Sequence, residues 1–265
     1  VKQKAPPQEK THARRAQSPE SDGIRLQRYL ALCGLGSRRH CEAIIRTGRV
    51  CVNGTVVDRM GVNIQPGADR VELDGQALHP QADRHAYLML HKPRGYIVTA
   101  RDQRGRRTAA DLVRDAPRRV FAVGRLDLDS EGLLLFTSDG DLAHRLMHPR
   151  YRVEKEYLVT VEGQVTSHAC RRLRRGVIVD GRPTLPARVR VIERLDNNTI
   201  LAVVITEGRK RQVREMFRRV GHEVIRLIRV REGALLLGDL PAGTWRSLTD
   251  AEVARLRREV GLESP

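Results

Sequence analysis

From Tyr87 onward, apolar residues arrive in short runs: YLMLHKP, GYIVTA, VFAVG, GLLLF, YLVTVEG, VRVIE, ILAVVIT and EVIRLIRV. Each has the length and the Val, Ile, Leu and aromatic content of a strand. Helical patterns fall between them only near residues 108 to 114, 139 to 147, 166 to 175 and 210 to 220. Several runs follow one another with no helix between, which points to an α+β fold with a mainly antiparallel mixed sheet flanked by helices. The last helix starts at Thr249-Asp250-Ala251-Glu252, the pattern of a capping box.

The chain before Tyr87 is organised differently. Residues 1–22 are rich in Pro, Gln and charge without apolar period, the composition of a disordered basic tail. Residues 23–79 read as two helices packed on a small sheet. Leu26, Tyr29, Leu30 and Cys33 recur at helical spacing, and Gly34 can end that helix. Ser37 is the expected N-cap of a second helix, with Ala43, Ile44 and Ile45 as buried candidates and Gly48 beyond its end. RVCVNGTVV follows as a hairpin turning at Asn53-Gly54. Residues 80–86 are polar and aperiodic, as in a linker, leaving 87–265 as a second domain.

Charge narrows the partners. Lys and Arg number 49 against 32 acids, a net charge of +17, and all but six of those cations are arginines. Guanidinium forks suit phosphates and base edges, so a polyanion, RNA or DNA, leads over an anionic membrane surface. No apolar segment approaches a membrane span and no secretory signal is evident, so a soluble cytoplasmic protein is expected. Cys33, Cys41, Cys51 and Cys170 form no CxxC pair, which fits buried thiols and no metal site. Aromatic residues are 3% of the chain, too few for a sheet that stacks many bases. Within 23–79, Arg25, Arg28, Arg38, Arg39, Arg46 and Arg49 crowd the two helices. Arg38 and Arg39 sit in a first helical turn, where the helix dipole disfavours cations and an external anion would relieve the cost.

The densest acids stand in GRLDLDSEGLLLFTSDG, residues 124–140, with Asp127, Asp129 and Glu131 ahead of an apolar run. A calcium loop would need a bidentate Glu where Ser138 stands. A glycosidase pair is undecided by Asp127 and Asp129 alone, since an extended i, i+2 pair lies about 7 Å apart, between the two catalytic separations. A solvated turn remains open.

Longer stretches resemble known families. LQRYLALCGLGSRRHCEAIIRTGRVCVNGTVV is similar to the S4 RNA-binding domain (α-L type). Residues 124–140 resemble the G-R-L-D-x-x-[ST]-x-G-L-L-L-x-[ST]-x-D-G signature of the RsuA/RluB family of ribosomal RNA pseudouridine synthases. The likeness extends to YLMLHKPRGYIVT, EKEYLV and EGRKRQVREMFRRVGHEVIRLIRVREGALLL.

That resemblance implies an S4 domain docking structured RNA and a pseudouridine synthase domain isomerising one uridine without cofactor. It implies that Asp127 is the catalytic carboxylate, that Tyr157 stacks on the target base and aids proton transfer, and that Arg214 pairs with the carboxylate. Arg125 would contact RNA and help hold the nucleotide out of its stack. Lys92, Arg209, Lys210 and Arg211 would join Arg25, Arg28, Ser37, Arg38, Arg39 and Arg46 in binding RNA. The apolar stripe Val213, Met216, Phe217 and Val220 leaves Arg214 off the core's centre. Asp129 and Glu131 are expected to be loop acids without chemistry. The C-terminal segment leans towards 23S rRNA or a large-subunit assembly intermediate as substrate of a monomeric enzyme. A 16S enzyme or an inactive S4-type assembly factor is the alternative.

Overall fold

The computed structural model describes residues 23–80, 85–99 and 102–262, so the expected tail and most of the expected linker lie outside the described residues. The chain forms two compact units, the second beginning at His85.

The first unit begins with β1 (Ile24–Arg25), α1 (Leu26–Leu32) and α2 (Arg38–Arg46). Next come β2 (Val50–Val52), β3 (Thr55–Val57), β4 (Asn63–Ile64), β5 (Val71–Leu73) and β6 (Gln76–Ala77). Ser37 caps α2 by accepting from the His40 amide at 3.1 Å. Asn53 and Gly54 both take positive φ, 50° and 78°, the geometry that lets a two-residue turn match the twist of its strands. Leu26, Tyr29, Leu30, Cys41, Ile45, Val50, Ile64 and Val71 form the core, while Ala43 is exposed.

The second unit is built on a mixed sheet. Its elements are β7 (Tyr87–Lys92), a 3-10 helix (Ala109–Val113), β8 (Phe121–Ala122), β9 (Glu131–Thr137), α3 (Gly140–Met147) and a 3-10 turn (Pro149–Tyr151). There follow β10 (Lys155–Glu162), α4 (Ser167–Arg175), β11 (Ile178–Val179), β12 (Arg182–Pro183), β13 (Arg188–Arg194), β14 (Asn198–Ile205) and α5 (Gln212–Arg218). The chain closes with β15 (Val224–Glu232), β16 (Leu235–Leu236), β17 (Trp245–Ser247) and α6 (Asp250–Glu259). The main sheet runs β13-β14-β10-β15-β9-β7-β17, with β16 on β15 and β8 on β9. Every pairing is antiparallel except β15 with β9, where Ile228 and Arg229 face Glu131 and Gly132.

Both faces of the sheet are covered. Leu134 and Phe136 of β9 pack with α4 and α5 residues such as Leu173, Met216 and Phe217 on one side. Leu133 and Leu135 pack with Leu142 and Leu146 of α3 and Leu256 of α6 on the other. A strand buried on both faces needs no polar alternation, which is why GLLLF reads as one continuous apolar run. GYIVTA differs from expectation: its described residues form no strand, and Ile97 makes only an isolated bridge to Thr108. Its apolar residues cover the 3-10 helix region without joining the ladder.

Candidate active site

Asp127 begins a tight turn just ahead of β9, with its carbonyl accepting from the Ser130 amide at 3.1 Å. Three elements hold that turn in place. The Leu128 carbonyl accepts from the Gly95 amide at 2.8 Å. Lys92 Nζ donates to the carbonyl of Ser130 at 2.7 Å and to that of Pro93 at 2.8 Å. Arg214 Nη2 donates to the Asp129 carbonyl at 2.9 Å. Gly132 then lets β9 run against β15: its φ is +111°, and a Cβ there would lie 2.3 Å from the Arg229 carbonyl oxygen.

The turn opens onto a cavity of about 370 Å³, the size range of small-ligand sites. Its wall includes Arg125, Asp127, Lys155, Tyr157, Arg229 and Glu232, with Leu126, Val213 and Leu227 as apolar lining. Among the described residues the Asp127 carboxylate has no hydrogen bond or ion pair, although it lines this cavity. Tyr157 faces inward from β10, where the register sets it between Val203 and Arg229. Burial pushes its phenol above the usual range, against the pull of Arg229, so the hydroxyl keeps its proton at neutral pH.

The structure redistributes several expected roles. Arg214 is buried beside Val213, Met216 and Phe217, and its ion pair is with Asp129 at 3.3 Å. Its Nη1 donates to the Val224 carbonyl at 2.8 Å. Arg211 joins the same carboxylate through two hydrogen bonds of 3.1 and 2.9 Å. Burial opposes ionisation of Asp129, but the Arg211 hydrogen bonds and the two guanidinium charges outweigh it and hold its carboxyl low. Glu131 is buried against Arg226, whose Nε donates at 2.7 Å, with Arg94 nearby. The two residues expected to be loop acids without chemistry thus anchor the loop, because Arg211, Arg214 and Arg226 reach them and not Asp127.

Lys92 is corrected too. Its side chain is fully buried, and burial lowers its pKa to about 8 despite the facing acids, so the ammonium braces the turn and is not presented to RNA. Arg209 is drawn inward by Glu207 and the carbonyls of Arg182 and Pro183, while Lys210 and Arg211 are exposed at the cavity, Arg211 held by Asp129. Arg125 is exposed at the cavity rim. In the first unit Arg38, Arg39 and Arg46 are exposed, Arg28 is half-buried, and Arg25 donates to the Gly61 carbonyl. Ser37 serves as the helix cap.

Sequence reasoning passed over Arg229 and Glu232. Both are 2% exposed on β15, they form an ion pair at 3.3 Å, and both line the cavity. The available signal was weak: Arg229 stands between Ile228 and Val230, but Arg226, Arg231 and Glu232 share the same strand. Among the described residues no group of acids, histidines and cysteines could hold a metal ion. Among the described residues no helix is long and apolar enough to cross a membrane.

The chain is similar to known proteins along most of its length. A family profile described as RNA pseudouridylate synthase matches residues 86–219, and one for the S4 domain matches residues 24–69. The ribosomal large subunit pseudouridine synthase B of Bacillus subtilis is 41% identical over 235 residues, covering 88% of this chain and 95% of its own. Its namesake in Haemophilus influenzae is 40% identical over 264 residues, covering 97% and 73%. A solved pseudouridylate synthase superposes with TM-score 0.63 at 31% identity, covering 88% of this chain and 99% of the other.

Proposed function

The chain belongs to the RNA pseudouridylate synthase family, and from that membership we propose that it isomerises one uridine of ribosomal RNA, with Asp127 as the catalytic carboxylate. The observation that carries the reading is the Asp127 carboxylate itself. It lines the cavity without a protein partner, while its neighbours Asp129 and Glu131 are consumed by arginines. A nucleophile or base must be free of such bonds to reach its target.

In this reading the target nucleotide leaves its stack and its uracil enters the cavity beside Tyr157, with Arg125 and Lys210 on the phosphates. Asp127 attacks C1′ or assists deprotonation of the ribose, so that the N1–C1′ bond breaks. The detached uracil turns, and C5 bonds to C1′ as the Asp127–C1′ bond breaks or, on the other route, as the ribose regains the proton it had lost. C5 loses its proton, N1 gains one, and the base keeps its atoms and electrons. No group is transferred and no redox change occurs. Tyr157, protonated at neutral pH, lies where it can stack on the base and relay that proton. Arg214 acts through the Asp129 segment, holding the turn that carries Asp127.

Similarity to two large-subunit enzymes supports 23S rRNA, free or within an assembly intermediate, as the substrate, with the S4-type unit docking it through Arg38, Arg39 and Arg46. The enzyme is taken to act as a cytoplasmic monomer. The test maps pseudouridines in rRNA from cells with and without the protein. Loss of one 23S site is expected, and an unchanged map would remove the proposal.

A further inference from the structure

Glu232 is an unusual carboxylate. It is 2% exposed, it lines the cavity that holds Asp127, and its Oε2 has no hydrogen-bond partner. Its neighbours are cations at ion-pair distance: Arg229 Nη2 lies 3.3 Å from Oε2, and Lys155 Nζ lies 3.9 Å from Oε1. Arg229 Nη2 also lacks a hydrogen bond, although its Nε is fixed on the Leu133 carbonyl at 2.7 Å. Desolvating two charges is expensive, and their attraction offsets it only when the remaining polar atoms are satisfied. Here an acceptor and a donor stand side by side without hydrogen-bond partners, sealed just behind the wall that their residues contribute to a cavity able to take a nucleobase.

We infer that Glu232 and Arg229 form the subsite that reads the imide edge of uracil. The carboxylate accepts from N3–H, and the guanidinium donates to an adjacent carbonyl oxygen. The assignment rests on the reading that this cavity binds the target uridine. Cytosine breaks the pattern: its N3 lone pair would face the carboxylate, and on the C4 side its amine would face the guanidinium.

The same pair suits the turning of the base. A half-turn about the line from C6 to N3 exchanges N1 with C5 and O2 with O4, and leaves N3–H where it was. Glu232 can therefore hold the pivot before and after the turn, and Arg229 meets a carbonyl oxygen in both poses. Tyr157, the register partner of Arg229, stands beside them.

The test uses the full chain and a transcript of the rRNA segment around the mapped site, carrying uridine, cytidine or 3-methyluridine there. Wild type must first convert the uridine transcript; failure at that step removes the enzymatic reading itself. Affinities are then measured in the Asp127→Asn background, which binds without turnover. N3-methylation is expected to weaken binding about tenfold or more, the scale of a lost hydrogen bond to a charged group. Glu232→Gln, which keeps the side-chain volume and supplies an amide donor, should move the uridine-to-cytidine affinity ratio at least about fivefold towards cytidine. Glu232→Ala should narrow the gap between uridine and 3-methyluridine. A merely structural Glu232 leaves the uridine-to-cytidine ratio unchanged. That result, or equal binding of uridine and 3-methyluridine by the Glu232-intact chain, overturns the assignment.

Discussion

Arg214 Nη2 donates to the Asp129 carbonyl at 2.9 Å, and its Nε lies 3.3 Å from the Asp129 carboxylate, so this arginine grips the turn that carries Asp127 and not Asp127 itself. The arrangement divides labour within five residues. Asp127 stays open to the cavity, and the structural bonds fall on Asp129 and Glu131.

Asp127→Asn keeps the shape of the side chain and removes its charge. Conversion should fall by more than about a thousandfold, the size of effect seen when a nucleophile is deleted, while transcript affinity stays within about threefold. Tritium release from RNA labelled at C5 of uridine measures the first, and filter binding measures the second. Retained turnover would move the chemistry to another residue.

Asp129→Ala frees both Arg211 and Arg214 from their carboxylate. Arg211 then loses two hydrogen bonds and Arg214 an ion pair, which should destabilise the second unit by about 1–2 kcal/mol, the pair with Arg211 being partly exposed. Displacement of the turn should lower kcat by about a hundredfold with a smaller change in KM. Denaturant titration and steady-state kinetics on one preparation separate the two effects. A change confined to KM would mean that Asp129 serves RNA binding instead.

Much of this was legible in the sequence where the signal is local. Ser37, Asn53-Gly54 and Thr249 through Glu252 announce a helix cap, a hairpin turn and a capping box, because each depends on residues within one turn of chain. The buried run of β9 was legible because both its faces are covered. GYIVTA was misread, since apolar content specifies burial but not a ladder partner. The partners of Arg214 were out of reach for a different reason. Asp127 and Asp129 are equally charged, and only the packing of α5 against the turn decides which carboxylate the guanidinium meets. Arg229 and Glu232 were hidden in the same way, because it is the pairing of β15 with β9 and β10 that places them at the cavity.

Gly132→Ala tests that pairing. The new Cβ would stand 2.3 Å from the Arg229 carbonyl oxygen and 2.6 Å from its nitrogen, at a φ of +111° that side chains rarely adopt. Neither contact is a flexible side-chain end, so β9 and β15 must separate. A loss of at least about 3 kcal/mol in urea unfolding is expected. A loss under 1 kcal/mol, on the scale of an ordinary surface substitution, would show that the strands part easily.

Arg38→Glu with Arg39→Glu probes the first unit. Both cations are exposed in the first turn of α2 and have no acid in that turn. If they contact phosphate, the dependence of log affinity on log salt should become shallower by about two, with weakening that is uniform across RNA sequences. Release of tritium at saturating RNA should be unchanged. An unaltered salt slope would assign RNA docking to other arginines.

Glu252 supplies a pH-dependent contribution. It caps its own helix through the Thr249 amide at 2.9 Å and takes two hydrogen bonds from Arg246, at 2.7 and 2.8 Å. The Arg246 hydrogen bonds lead in lowering its pKa from 4.5 to about 2. The folded value lies below the unfolded one, so the stabilisation is fully present above pH 4.5 and is lost as pH falls through about 2. Glu252→Gln should cost about 1–3 kcal/mol at pH 7, allowing for the partial exposure of Arg246. The difference from wild type should shrink steadily as unfolding is measured at lower pH within that window. A difference that stays constant from pH 7 to pH 3 would mean that shape, not charge, makes the cap.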